Sequence, residues 1–214
     1  MRNLVGMYVW GYDIGKMLNQ LKQDLKKLSD TNKSKILSRY FKTGKGEYAE
    51  GDILLGVTVP EQRKIAKKYL SLTLNDIKEL LQSQIHEHRL TALLILVERY
   101  KISEDIIKKD IVDFYLSNTK YVNNWDLVDS TADKILGDYL IEKDKSILYK
   151  LAKSSFLWER RITIISTFAF IKKDKFEHTF KIAEILLSDN HDLIQKAVGW
   201  MLREVGKRNQ EVHV

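Results

Sequence analysis

The chain contains one proline, Pro60, and ten glycines in 214 residues. These are the residues that end helices, so a chain poor in both favours long helices joined by short connections. Apolar residues recur at three- and four-residue spacing, and alternating strand patterns are scarce. The periodicity predicts helices near residues 14–28, 32–41, 61–69, 74–82, 87–100, 104–116, 125–140, 145–153, 158–172, 175–187 and 193–207. Pro60 falls at a helix start, where its missing N–H costs nothing. Thr73, Ser103 and Asp174 are expected N-caps. The polar stretch 42–51, with Gly44 and Gly46, lacks the strand–helix context of a phosphate-binding loop and is expected to be a mobile surface loop.

A repeat runs through this pattern. Arg89, Asp126, Arg161 and Lys196 recur at about 35-residue intervals, each near the start of the second helix of a pair. That period belongs to helix-pair solenoids. The expected fold is therefore all-α, a right-handed superhelical solenoid of HEAT-like antiparallel helix pairs. Residues 1–14 are expected to form an N-terminal extension and 15–214 a single domain. Such an array would bring the recurring charged residues onto one concave surface, and a monomer is expected from its form.

Lys plus Arg number 36 against 29 Asp plus Glu, a net charge of +7. The excess suits a polyanion such as nucleic acid, where neutralised phosphates release counterions. It equally suits lysines that solvate the outer faces of helices, and composition does not choose between them. There is no cysteine, which excludes disulfides, cysteine-ligated metal and thiol nucleophiles and fits an intracellular, cytoplasmic protein. No apolar run reaches transmembrane length, so no membrane partner is expected.

The strongest chemical candidate is the stretch Trp125-Asp126-Leu127-Val128-Asp129. At 3.6 residues per turn, Trp125 and Asp129 share one helical face. An aromatic beside a carboxylate suits a cationic ligand. Asp126 sits near a helix start, where the dipole favours it, but Asp129 lies a turn further in. A partly desolvated Asp there could serve as a general base or stabilise a developing cation. The alternative is a buried Asp paired with Arg161 or with a neighbouring helix. Trp158 precedes Arg160 and Arg161 and is expected to pack between repeats. Gly199, in mid-helix before Trp200, would permit close approach of another helix or of a ligand. His86 and His88 are two apart and project from different helical faces, which argues against a metal pair.

Several motifs together resemble one family. They are Leu55-Gly56-Val57-Thr58-Val59-Pro60-Glu61-Gln62-Arg63, the Trp125–Asp129 stretch, Leu136-Gly137-Asp138, Trp158-Glu159-Arg160-Arg161, and Ile194-Gln195-Lys196-Ala197-Val198-Gly199-Trp200-Met201-Leu202-Arg203-Glu204. In this order, over roughly residues 15 to 208, the chain resembles the HEAT-like-repeat alkylpurine DNA glycosylases, the AlkD type of DNA alkylation repair protein. The resemblance implies hydrolysis of the N-glycosidic bond of cationic N3- and N7-alkylated purines in duplex DNA, with no metal or cofactor. It implies Asp129 as the catalytic carboxylate, Trp125 and Trp200 as aromatics flanking the lesion's deoxyribose, and Arg161 as a backbone-contacting arginine required for activity. Tyr40 and Thr58 would contact DNA near the lesion. With the recurring cations Arg89 and Lys196, and with Arg203, they make up the expected DNA-binding set. The family usually continues beyond the helix that carries Trp200, so the last pair is expected to lack an outer cover. Some relatives keep this scaffold as non-catalytic binders of branched or bent DNA, which is the alternative function.

Overall fold

The computed structural model describes residues 14–209, and the expected extension over residues 1–14 lies, except for Ile14, outside them. Among the described residues thirteen α-helices follow one another: α1 (Ile14–Lys27), α2 (Thr31–Tyr40), α3 (Val59–Lys68), α4 (Leu74–Leu81), α5 (His86–Ile102), α6 (Asp105–Ser117), α7 (Trp125–Asp129), α8 (Asp138–Leu140), α9 (Ser146–Ala152), α10 (Leu157–Ser166), α11 (Phe168–Ile171), α12 (Glu177–Leu186) and α13 (Asp192–Arg208). A 3₁₀ turn at Thr119–Tyr121 precedes α7, and a π-helical turn at Asp133–Gly137 joins α7 to α8. Among the described residues there is no strand beyond an isolated bridge between Ile53 and Ile85. No helix among them is long and apolar enough to cross a membrane.

The helices pack in two rows. The second members of successive pairs touch in sequence: α5 meets α7, α7 meets α10, and α10 and α11 meet α13. The first members lie outside them, α4 and α6 against α5, α9 against α10, and α12 against α13. Short connections turn each pair antiparallel. α5 shows why this row is interior: residues 86–97 are all buried, including His86, Glu87, His88 and Arg89. A helix buried on every side loses its amphipathic stripe and needs a partner for each polar group.

Glu87 finds its partners in the Leu55-Gly56-Val57 turn. Its carboxylate accepts the amides of Leu55, Gly56 and Val57 at 2.9, 2.8 and 3.3 Å. Gly56 has φ +85°, and a Cβ there would lie 2.3 Å from the Asp30 carbonyl oxygen. Only glycine fits that turn. It delivers the chain to Thr58, the N-cap of α3, with Pro60 in the first turn as expected.

Two expected caps are placed differently. Thr73 does cap α4, accepting the Asp76 amide at 3.1 Å. Ser103 instead closes α5, donating to the Arg99 carbonyl at 2.7 Å, and Glu104 opens α6. Asp174 adopts φ +56° after α11, and Phe176 opens α12.

Candidate functional site

α7 is short because its ends are chemically fixed. The Asn124 side chain accepts the Trp125 amide at 2.8 Å, which starts the helix. The Thr131 hydroxyl donates back to the Leu127 carbonyl at 2.6 Å, a local bond that bends helices. Between these ends, Trp125 and Asp129 lie one turn apart, both partly exposed.

Asp129 and Arg161 form the centre of the site. Arg161, buried on α10, donates from Nε to Asp129 Oδ1 at 3.0 Å and from Nη2 to Oδ2 at 2.7 Å. Its Nη1 donates to the Leu193 carbonyl at the start of α13. One guanidinium thus joins three consecutive inner helices through a planar fork that lysine could not reproduce. The Asp129 side chain retains 18% exposure. Burial raises its pKa above the ordinary carboxylate value. The Arg161 hydrogen bonds and charge oppose that rise, and the carboxylates of Asp126 and Asp133 add to it.

Trp125 belongs to an aromatic stack that sequence reasoning missed. Phe41 lies against it, ring centroids 5.3 Å apart and nearly parallel, and against His86 at 4.8 Å. Tyr40 meets the Trp125 ring edge-on at 5.5 Å and is exposed. Tyr48 meets buried Trp158 edge-on at 5.7 Å.

A buried charge network supports this stack from below. His86 Nε2 donates to Asp126 at 2.7 Å, and Nδ1 faces Asp52 at 3.4 Å. Asp52 also receives Arg89, which donates a further bond to the Ser83 carbonyl at 2.8 Å. Burial pulls the His86 pKa down, but the Asp126 charge and hydrogen bond, with Asp52 behind them, lift it to about 9. Stretch 42–51, expected as a mobile surface loop, therefore leads into an anchored segment: Tyr48 reaches Trp158 and Asp52 reaches α5. Gly44 and Gly46 do not cradle an anion, because their amides go to Glu47 and Glu50 at 2.7 and 2.8 Å. The available signal was an aromatic and a carboxylate, Tyr48 and Asp52, within a glycine-rich run.

The remaining expected residues divide. Trp200, half-buried on α13, packs against Phe168 with centroids 5.9 Å apart, and its indole N–H donates to Glu204 at 3.3 Å. It lies two helical turns beyond Leu193, whose carbonyl holds Arg161. Gly199 beside it is exposed, and a Cβ there would meet nothing within 4 Å, so no helix uses that space. Lys196 and Arg203 are exposed, Lys196 with Asp192 at 2.8 Å. Thr58 is half-buried and donates its hydroxyl to Glu61 at 2.7 Å. Arg89 is 3% exposed and ion-paired. It was expected to join a concave row of cations, but the burial of α5 turns it inward, to anchor the segment that carries Asp52.

The sequence profile of the DNA alkylation repair enzyme family matches residues 21–214. This chain belongs to that family. Membership carries a role in DNA repair. A solved structure described as a predicted DNA alkylation repair enzyme from Enterococcus faecalis is similar, with a TM-score of 0.66 and 17% identity over 86% of this chain and 85% of that one. At that identity the likeness is one of fold. No curated protein matches the chain. Within this repair-enzyme frame, Asp129 is a carboxylate held by Arg161 with part of its surface exposed, Trp125 and Trp200 are half-buried on inner helices, and Lys196 and Arg203 are exposed on α13.

Proposed function

We propose that this protein is a DNA glycosylase that hydrolyses the N-glycosidic bond of cationic N3- and N7-alkylated purines, such as 3-methyladenine and 7-methylguanine, in duplex DNA. The observation that carries the reading is Asp129: a desolvated, still partly exposed carboxylate, oriented through both oxygens by a buried arginine, one turn from Trp125. A carboxylate needed only for packing could be fully enclosed. This one keeps 18% of its side-chain surface exposed.

The chemistry follows from charge. N-alkylation leaves the purine cationic, so the base departs as a neutral alkylpurine with the electron pair of the C1′–N bond. The sugar becomes an oxocarbenium ion. Asp129 stabilises that cation electrostatically and positions a water, which adds to C1′, loses a proton and leaves an abasic deoxyribose. Trp125 and Trp200 present π faces to the cationic sugar, an attraction of about 0.5–2 kcal/mol each. Arg161 holds Asp129 in place from its buried position on α10. The reaction calls for no metal or cofactor.

A second reading, a non-catalytic scaffold for branched or bent DNA, draws on the same ion pair: both Asp129 oxygens are already engaged. The deciding assay is release of 7-methylguanine or 3-methyladenine from methylated duplex, with a parallel binding titration. Release that Asp129→Asn slows by orders of magnitude while binding persists supports the glycosylase. Tight binding with no release by the wild type favours the scaffold.

A further inference from the structure

We infer that a basic pocket beside Asp129 holds phosphodiester groups of the DNA strand that crosses the site, an inference that rests on the duplex-DNA reading above. The pocket has a volume of about 340 Å³, and its walls carry Lys101, Lys108, Lys134, Lys172 and Lys173. Two carboxylates, Asp133 and Asp138, face these five ammonium groups. Asp133 is buried and held by Lys134 at 3.1 Å and Lys172 at 2.6 Å, and Asp138 accepts the Tyr100 hydroxyl at 3.0 Å. Lys101 pairs with Glu98 at 2.7 Å. Among the described residues, Lys108 and Lys173 have no carboxylate partner, and Lys108 lies 5.1 Å from the Tyr100 ring centroid. The pocket is left with uncompensated positive charge.

Helix-end chemistry explains only part of this cluster. Lys101, Lys172 and Lys173 sit at the C-terminal ends of α5 and α11, where the helix dipole favours cations. Lys108 lies in the first turn of α6, where the dipole opposes a cation, and Lys134 lies inside the π-helical turn. Such turns are frequent at functional sites. Here the turn buries the Asp133 carboxylate and leaves Lys134 part-exposed.

One lysine of the pocket reaches back toward Asp129. Lys134 donates to the carbonyl of Ser130, the residue after Asp129, at 2.9 Å. Lys172 stands 4.2 Å from the ring centroid of Phe168, which packs on Trp200. Lys134 lies five positions beyond Asp129, in the π-helical turn that follows α7. A strand with its sugar at Asp129 that runs along α7 toward α8 advances about 3.4 Å per phosphate and brings its next phosphates over this pocket.

The test uses the full chain and fluorescence anisotropy with an undamaged and a methylated duplex across a salt series. Lys108→Ala/Lys173→Ala is the informative variant, since neither lysine holds a buried carboxylate. The comparator is Lys26→Ala/Lys27→Ala on α1, which removes equal charge elsewhere. The pocket variant is expected to weaken duplex binding about tenfold and to flatten the plot of log Kd against log salt by about two. The comparator should change both far less. Equal loss in the two variants, or an unchanged slope in the pocket variant while the wild type binds and excises, overturns the inference and leaves the glycosylase intact. A wild type that binds no duplex overturns both. Thermal melting of each variant confirms that it is folded.

Discussion

Burial around Asp129 sets how its charge behaves. In the proposed mechanism the ionised carboxylate is the active form, and burial raises its pKa against the opposing pull of Arg161. Excision should therefore be constant near neutrality and fall on acidification, with a midpoint above the ordinary carboxylate value. Single-turnover rates across pH check this, and a rate that held through the ordinary carboxylate range would refute it. Asp129→Asn should lower the rate by about 10²–10³, the usual cost of losing an electrostatic stabiliser of the transition state. His86 carries a second pH signature, in stability. Its folded pKa is about 9 against 6.5 unfolded. The stability it contributes is fully present below pH 6.5 and is lost as pH rises through about 9, on the order of 3 kcal/mol in all. Urea midpoints should decline across that window in the wild type and stay flatter in His86→Gln. Equal slopes would show that His86 is not the titrating group.

At the scale of the element, two glycines mark opposite constraints. Gly137, in the π-helical turn, lies where a Cβ would come within 2.2 Å of the Ser166 carbonyl oxygen of α10. Backbone cannot retreat cheaply, so Gly137→Ala should destabilise by about 1–3 kcal/mol. Gly199 faces open space, and Ala there should stabilise α13 by up to about 1 kcal/mol. If DNA approaches beside Trp200, Gly199→Ala should raise the melting temperature while slowing excision. A variant as active as the wild type would remove Gly199 from the binding surface. The helical segments were legible because 3.6-residue periodicity survives in each of them. What averaging concealed was their interruption. Residues 125–140 read as one helix, yet Thr131 and the π-helical turn divide them. Residues 158–172 divide at Ser166 and Thr167, whose hydroxyls donate to the Ile162 and Ile164 carbonyls, both at 2.7 Å. The Asp129–Arg161 pairing was legible from the repeat. The Phe41–Trp125–His86 stack was not, because it joins α2, α5 and α7 through tertiary contacts with no sequence period.

Across the whole molecule, the net charge of +7 overstates what a polyanion can reach. Arg89 and Arg161 are buried and each is paired with an aspartate. They hold successive inner helices and the 42–58 segment together, whereas Lys196 and Arg203 stand exposed on α13. Removing one member of a buried pair strands the other charge and costs about 3–5 kcal/mol. Neutralising an exposed phosphate contact instead changes the salt dependence by roughly one unit of slope. Arg89→Met should therefore lower the melting temperature markedly, yet at temperatures where it remains folded its duplex-binding slope should match the wild type. Lys196→Gln/Arg203→Gln should melt like the wild type and bind with a slope reduced by about two. Paired melting and anisotropy measurements separate the two classes. A reduced slope in Arg89→Met would mean that DNA draws this arginine out of its pair with Asp52, and that the inner row rearranges on binding rather than meeting DNA preformed.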